Sequence, residues 1–235
     1  MCGRFNITDS PLVHALLEDL GIDIGPLPTR YNILPTEQVP ILVNRRGEYK
    51  LVESRWGMVP HQVPEPLKGY PTWNAKFEEV QNKPTFSHAY QQRQACVFIV
   101  SSWYESDPVK KKETKKAYPN LIVPTEGAYF VAGLWEYSPR CKIVSSTMFT
   151  LAPHPDFRAI HSRGLVSLKP DEIAQYLDQT FPWEEMGYLN TPRITSDLDV
   201  IPVAKEVYKI KDRPQDSERC TTPIGNGFTV KKTED

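Results

Sequence analysis

ACVFIVSSWYES (95–106) begins with six consecutive apolar residues and ends in polar ones. A short, uninterrupted apolar run of this kind is typical of a strand that is buried on both faces. We therefore predict one continuous strand over 95–106. Glu105 lies where this strand emerges from the core, beside Trp103 and Tyr104, a setting that favours a raised pKa and a role as a general acid. An ordinary solvated strand end would have the same sequence pattern.

The sequence on either side predicts further short strands. VPILVNRRGEYKLVESRWG (39–57) is typical of a hairpin that turns at 46–47, and AYPNLIVPTEGAYFVAGLWEYSP (117–139) is typical of a second hairpin that turns at 125–127. Two more strands are predicted over 141–153 and 201–210.

Three stretches, 11–20, 83–93 and 169–178, predict short helices. In the first, Ser10 can cap the helix, Pro11 fits its first turn, and the apolar stripe consists of Leu12, Val13, Leu16, Leu17 and Leu20. Short strands with a few interspersed helices indicate an α+β fold centred on a mainly antiparallel sheet or barrel. We predict a single domain over 1–211, followed by a flexible C-terminal tail over 212–235.

The composition limits the function classes. Twenty-eight Lys and Arg residues against 29 Asp and Glu residues give a net charge of −1, so a nucleic-acid surface would have to be a local basic groove. The four cysteines lack zinc-ligand spacing, and we predict no metal and no cofactor. No apolar run approaches the roughly 20 residues of a membrane span. Without a secretion leader, and with free thiols, we expect a monomeric, cytoplasmic protein.

Cys2 is the first candidate for chemistry. Removal of Met1 would give Cys2 a free α-amine, which titrates near pH ~8, beside a thiol that titrates near ~8.5. The amine can form an imine with an aldehyde, and the thiol can then close a five-membered thiazolidine. The position alone does not distinguish this role from that of an incidental buried cysteine.

His161 and Asn74 are further candidates. A histidine can shuttle protons near neutral pH, although a lone histidine is more often structural. Asn74 in TWNAKFEEV (72–80) can orient a substrate or an amine, or simply cap the following turn. The remaining histidines, His14, His61, His88 and His154, have no suggestive setting.

Basic and aromatic residues are scattered along the chain. Arg4, Lys76 and Arg163 are candidates for phosphate contacts, and Trp56 is a candidate for stacking on an unpaired base, although aromatic residues at strand positions are more often core. The lysine-rich run 110–116 predicts either a solvated hairpin loop or a mobile arm that contacts phosphates.

Eight short blocks carry more weight together than any single residue. In sequence and spacing they resemble the SRAP (SOS response-associated peptidase) family of abasic-site processing proteins, over roughly residues 2–210. The blocks are MCGRF (1–5), RYNILPT (30–36), RWGMVP (55–60), WNAKFE (73–78), SSWYES (101–106), VAGLWE (131–136), FTLAP (149–153) and IHSRG (160–164).

The resemblance implies an α+β fold on a barrel-like β-core that binds single-stranded DNA in a positively charged channel. It implies a covalent thiazolidine crosslink between Cys2 and the ring-opened abasic-site aldehyde, which shields the lesion during the DNA damage response near the nucleoid or replication fork. The matching catalytic positions are Cys2, Asn74, Glu105 and His161, and the expected DNA contacts are Arg4, Asn32, Trp56, Lys76 and Arg163. A lyase-like side activity and autocatalytic removal of Met1 are also implied.

Several positions depart from the family pattern. Lys76 stands where an arginine is usual, Gly164 and Leu165 replace Met-Pro, Ser106 replaces a tryptophan, and HQVPEP (61–66) lacks a second tryptophan. A lysine is a point charge, whereas arginine offers a bidentate fork, so the departures affect DNA contacts more than chemistry. Two alternatives stay open: a thiol peptidase or hydrolase using Cys2 and His161, and a non-catalytic single-stranded DNA-binding module of the same fold.

Overall fold

The computed structural model describes residues 2–19, 21–208 and 217–234. Met1, Leu20 and part of the predicted tail lie outside the described residues. The strands are β1 (Phe5–Ile7), β2 (Arg30–Ile33), β3 (Gln38–Arg45), β4 (Glu48–Trp56), β5 (Asn74–Lys76), β6 (Ala95–Val100), β7 (Ser102–Ser106), β8 (Pro119–Pro124), β9 (Tyr129–Ser138), β10 (Ile143–Leu151), β11 (Gly164–Leu165), β12 (Ser167–Leu168), β13 (Leu198–Pro202) and β14 (Phe228–Val230). The α-helices are α1 (Pro11–Glu18), α2 (Ser87–Gln91), α3 (Pro108–Thr114) and α4 (Ile173–Leu177).

Five strands close into a barrel. β3 pairs with β4 and β6, β6 pairs with β9, β9 pairs with β10, and β10 pairs with β4 to complete the ring. Every pairing in the ring is antiparallel except β10 with β4, because strand directions cannot alternate all the way round a ring of five. The single domain and the α+β fold with a mainly antiparallel, barrel-like core are thereby confirmed.

A second sheet lies beside the barrel, in the order β14-β13-β8-β7-β1-β2, and all its pairings are antiparallel. β1 and β7 are neighbours in this sheet, with Phe5 opposite Trp103. The N-terminal residues and the strand that carries Glu105 are therefore held side by side.

The prediction of one continuous strand over 95–106 is wrong. β6 ends at Val100 in the barrel, and β7 begins at Ser102 in the second sheet. The chain changes sheets at Ser101, whose backbone N–H donates to Asn6 O at 2.9 Å and whose hydroxyl accepts from Thr8 N–H at 2.8 Å. The apolar run shows that both halves are buried but not that they are buried against different sheets.

The hairpin over 39–57 is confirmed as β3 and β4, with Arg45 opposite Glu48. The second predicted hairpin, over 117–139, is wrong, because β8 pairs with β7 and β13 whereas β9 pairs with β6, β10 and β12. The strand predicted over 141–153 is confirmed as β10. The last predicted strand, over 201–210, is displaced: β13 spans Leu198–Pro202, and a 3₁₀ turn follows over Lys205–Tyr208. Positions 209 and 210 of that prediction lie outside the described residues.

The predicted helices form, but each is shorter than its pattern suggested. α1, α2 and α4 lie within 11–20, 83–93 and 169–178, and a 3₁₀ turn over Pro170–Glu172 precedes α4. No helix among residues 2–19, 21–208 and 217–234 is long and apolar enough to cross a membrane.

Two segments expected to be irregular carry regular structure. The lysine-rich run lies on α3 rather than in a hairpin loop, because the Asp107 carboxylate caps the helix by accepting from Val109 and Lys110 N–H at 3.0 Å each. In the predicted flexible tail, β14 pairs with β13 and Cys220 is buried against Val203 and Val207. The described part of the tail is therefore packed on the fold, and the boundary at residue 211 stays a prediction.

Candidate active site

A cavity of about 450 Å³ lies among the end of β7, helix α3 and the residues just before β1. Its lining brings one acid, one histidine and three basic residues together from distant parts of the chain. The polar lining residues are Arg4, Tyr104, Glu105, Ser106, Lys111, Arg158, His161, Ser162 and Tyr208.

Cys2 is buried behind this cavity, with 1% of its surface exposed. Its thiol lies 3.5 Å from Arg4 O, and its carbonyl oxygen accepts a 2.6 Å hydrogen bond from Asn74 Nδ2. Asn74 begins β5, which pairs in parallel with β10, so the barrel fixes the position of this amide. The oxygen of the same amide, Asn74 Oδ1, is buried and has no hydrogen bond to any of the described residues. Asn74 thus positions Cys2, and its amide oxygen is available as a hydrogen-bond acceptor.

Glu105 and His161 face each other across the cavity wall, with 3.8 Å between Glu105 Oε2 and His161 Nε2. Glu105 is buried on β7, and His161 lies in the turn before β11, where its backbone N–H donates to Phe157 O at 3.1 Å. The backbone N–H of Arg163 donates to His161 Nδ1 at 3.0 Å, whereas Arg163 O lies farther from this nitrogen, at 3.3 Å, so the shorter contact favours the tautomer with its proton on Nε2. The imidazole then presents an N–H toward the carboxyl group.

Burial sets the protonation states of this pair. It raises the pKa of Glu105 from about 4.5 to about 7 and lowers the pKa of His161 to about 4. At neutral pH the imidazole is therefore uncharged and Glu105 is close to half protonated, so their 3.8 Å contact is not an ion pair. A carboxyl group with this pKa can both give and take a proton at neutral pH.

The surroundings of Cys2 disfavour the thiolate form of its side chain. Burial, followed by the negative charge of Glu105, raises the pKa of Cys2 well above its usual range. Proton transfer from the thiol therefore needs a base, and Glu105, whose charge acts on the thiol, is a candidate for it.

Arg4 is held at the cavity by two neighbours. Its guanidinium donates to Asn32 Oδ1 at 3.1 Å and lies 5.1 Å from the ring centre of Tyr208. Asn32 is itself buried and donates to Val207 O at 3.1 Å. Burial lowers the pKa of Arg4 from its usual value and, with the charge of Glu105, raises the pKa of Tyr208 to about 12. Asn32 therefore anchors Arg4 rather than lining the cavity itself.

Besides Asn32, three of the residues expected to contact DNA do not line the cavity. Trp56 is completely buried and donates from its indole nitrogen to Trp73 O at 3.0 Å, so stacking on a base is excluded in this structure. Lys76 forms a 2.9 Å ion pair with Glu79. Arg163 makes a bidentate pair with Glu78, at 2.7 Å for each bond. Trp56 is thus a core residue, and the other two stay predictions.

Sequence reasoning missed several cavity residues. Lys111 was placed in a loop or arm, whereas α3 directs it to the cavity, and the pair Asp107-Pro108 was a readable helix-start signal. Tyr208 was assigned to a strand, and its place beside Arg4 depends on packing between distant segments that no local pattern encodes.

This architecture and site define a class, an α+β barrel protein with a buried acid–histidine pair beside its N-terminal residues. Solved structures share the fold: a protein from Bacteroides thetaiotaomicron has a TM-score of 0.72 at 16% identity, covering 94% of this chain and 99% of that one. A protein from Bordetella bronchiseptica has a TM-score of 0.70 at 21% identity, covering 86% and 100%.

The sequence matches the profile of the SRAP family, SOS response associated peptidase, over residues 1–210, and the chain belongs to this family. Relatives include the abasic site processing protein YoaM of Bacillus subtilis, 26% identical over 90% of this chain and 95% of YoaM. The abasic site processing protein YedK of Escherichia coli is 28% identical over 79% of this chain and 83% of YedK. The abasic site processing protein YMR114C of Saccharomyces cerevisiae is 28% identical over 87% of this chain and 56% of YMR114C.

Proposed function

We propose that this protein, once Met1 is removed, binds single-stranded DNA and traps the aldehyde of an abasic site as a thiazolidine on Cys2. The observation that carries the proposal is Glu105, a buried carboxyl group with a pKa of about 7, whose charge acts on the Cys2 thiol and which lies 3.8 Å from His161. Membership of the SRAP family, whose relatives are abasic site processing proteins, supports the same substrate.

The raised pKa of the thiol implies that the α-amine attacks first. The amine nitrogen adds to the aldehyde carbon, and protonated Glu105 gives its proton to the hydroxyl group that leaves as water. Loss of water leaves a protonated imine, whose carbon is then attacked by the Cys2 sulfur. Glu105, now a carboxylate, removes the thiol proton, and the electrons of the C=N bond return to the nitrogen as the five-membered ring closes. The balance is one amine, one thiol and one aldehyde giving a thiazolidine and one water molecule.

His161 and Asn74 have positioning roles in this proposal. The Nε2–H of neutral His161 can donate to a hydroxyl oxygen of the opened sugar. Asn74 Oδ1, which is buried and has no partner within the described part of the chain, can accept from the freed α-amine of Cys2, because the same amide already holds the Cys2 carbonyl. Holding the reacting groups in this way lowers the barrier by several kcal/mol, on the order of 7–11 at best.

The DNA path in this proposal is the cavity rim formed by Arg4, Lys111 and Arg158. These three cations line the same cavity as Glu105 in a chain with a net charge of only −1, as expected for a local phosphate-binding groove. A monomeric state and a cytoplasmic location near the nucleoid or replication fork are part of the same proposal.

The alternative of a thiol peptidase or hydrolase fits the geometry less well. Such an enzyme needs a thiolate, usually beside a histidine that accepts its proton, whereas burial raises the pKa of Cys2 and lowers that of His161. The second alternative, a DNA-binding module without chemistry, predicts retention of DNA without a covalent product.

The test uses protein whose N-terminal Cys2 is verified by mass spectrometry and a single-stranded oligonucleotide with one abasic site. We expect a covalent band that resists heat and denaturant, and no band with a tetrahydrofuran analogue that has no aldehyde. Cys2→Ser should give only an imine that borohydride traps, whereas Cys141→Ser should crosslink like the wild type. Glu105→Gln should slow crosslinking by about 10²–10⁴-fold. Absence of any covalent band with intact Cys2 would refute the proposal.

A further inference from the structure

We propose that His61, His88 and Glu136 form a binding site for a divalent transition-metal ion of the zinc class, outside the cavity described above. One nitrogen of each histidine and one carboxylate oxygen all lie within 4.8 Å of one another. None of the three residues lines the cavity that contains Glu105.

Each ligand comes from a different element. His61 lies in the connection between β4 and β5, His88 on α2, and Glu136 on the barrel strand β9. His88 Nδ1 lies 2.6 Å from Glu136 Oε2, and His61 Nδ1 lies 3.7 Å from Glu136 Oε1. His88 thus contacts the carboxylate directly, whereas His61 Nδ1 lies between Glu136 and the carbonyl oxygen of Tyr137, which is 3.2 Å away.

The charge balance of the cluster favours a cation. The Glu136 side chain is only 3% exposed, and a buried carboxylate is costly unless it is paired. Within the described part of the chain, its ion-pair partners are the two histidines and no lysine or arginine. The two imidazole rings are stacked, with centres 4.5 Å apart, so the two rings lie together beside the carboxylate. One divalent cation shared by all three groups would balance the charge of the carboxylate.

The donor set matches zinc. Two imidazoles and one carboxylate are a common Zn²⁺ combination, with metal–ligand distances of about 2.0–2.2 Å and hence ligand atoms about 3.3 Å apart in a tetrahedron. The side chains of His61 and His88 are 45% and 42% exposed, so their rings have room to rotate, and binding requires them to adjust from the present separations of up to 4.8 Å. Solvent access leaves the fourth position to water.

A neighbouring amide holds the carboxylate in place. With its amide oriented as its neighbours require, Gln94 donates from its nitrogen to Glu136 Oε1 at 3.1 Å and to Trp135 O at 3.0 Å. Hydrogen bonds of this kind fix the direction of a metal-binding carboxylate. A bound ion would tie the connection between β4 and β5, together with α2, to the barrel wall.

The test is a titration of the full chain, free of any histidine tag, with Zn²⁺ by calorimetry and with Co²⁺ by visible absorption. We expect one ion per chain, the d–d bands of tetrahedral Co²⁺ without the sulfur-to-metal band that thiolate ligands give, and a rise in Tm with Zn²⁺. His61→Ala and His88→Ala should each weaken binding at least tenfold, with circular dichroism showing that both variants fold.

The matched control is His14→Ala, because His14 also lies 2.6 Å from a carboxylate, that of Asp9, but has no third donor. This variant should bind like the wild type, and His61→Ala should still crosslink abasic DNA because His61 lies outside the cavity. Equal zinc affinity of the wild type, His61→Ala and His88→Ala would overturn the proposal. Failure of the folded wild type to bind either metal ion would do the same.

Discussion

At the scale of single residues, burial decides the chemistry that the site can perform. Glu105 was recognisable in the sequence as an acid at a strand end, but an ordinary solvated strand end was the more common interpretation of the same pattern. The structure buries Glu105 to 5% exposure and raises its pKa to about 7. The site depends on this desolvation, because a solvated glutamate would be ionised at neutral pH and could not donate a proton.

The raised pKa of Glu105 predicts that the free energy of unfolding falls as the pH rises toward neutrality. The unfolded-state pKa is near ~4.3 and the folded value is about 7, so the folded state binds the proton more tightly. The stabilising contribution is complete below the unfolded pKa and is lost as the pH rises through 7. Glu105→Gln should therefore gain free energy of unfolding relative to the wild type between about pH 5 and pH 8, on the order of 1–3 kcal/mol.

Urea denaturation at a series of pH values measures this difference. Glu113→Gln, an exposed position on α3, is the control and should follow the wild type at every pH. A constant difference between Glu105→Gln and the wild type across that range would show that Glu105 does not titrate near neutrality.

At the scale of elements, the switch between sheets at Ser101 is the decisive feature. Because β6 belongs to the barrel and β7 to the second sheet, Glu105 lies against β1 and the N-terminal residues. A straight continuation of β6 would not enter the second sheet. The two hydrogen bonds of Ser101 to Asn6 and Thr8 hold the two segments together at this bend.

The barrel also depends on one close approach at Gly133 of β9. A Cβ at this position would clash with Thr147 O and lie 2.8 Å from the ring of Phe98. Gly133→Ala should therefore lower the free energy of unfolding by about 1–3 kcal/mol, as overpacking does in closed cores.

Chemical denaturation followed by tryptophan fluorescence measures the effect. The matched control is Gly187→Ala, since a Cβ there has no neighbour within 4 Å. Equal stability of the Gly133→Ala and Gly187→Ala variants would mean that the barrel can relax around the added methyl group.

At the scale of the whole molecule, charge is balanced overall and concentrated locally. Arg4, Lys111 and Arg158 line the cavity, whereas the net charge is −1. About three phosphate contacts predict a modest salt dependence of binding to single-stranded DNA. The slope of log K against the logarithm of the salt concentration should be about −2.

Lys111→Gln should weaken binding at low salt and reduce this slope by about 0.7. Lys110→Gln is the control on the same helix, because Lys110 faces Asp107 and the ring of Tyr118 rather than the cavity. Fluorescence anisotropy of a labelled oligonucleotide at several salt concentrations gives both slopes. A much steeper wild-type slope, unaffected by Lys111→Gln, would place the DNA on another surface.

The sequence by itself determined the local elements and the chemical groups. The hairpin of β3 and β4, strand β10 and helix α1 follow from apolar periodicity and turn residues, which act between near neighbours. The ordered blocks from MCGRF to IHSRG were sufficient to identify the family before any contact was known. They also supplied Cys2, Asn74, Glu105 and His161, all four of which lie in or directly behind one cavity.

Only the tertiary structure decided which surfaces these elements bury and which residues meet. Apolar periodicity indicates that a segment is buried but not which element covers it. The sequence therefore could not predict the change of sheet at Ser101 or the separation of β8 from β9. The same reason explains why Trp56 is core, why Tyr208 meets Arg4, and why His61, His88 and Glu136 meet at one point. Contacts between residues far apart in the chain depend on the closing of the barrel, which no local pattern encodes.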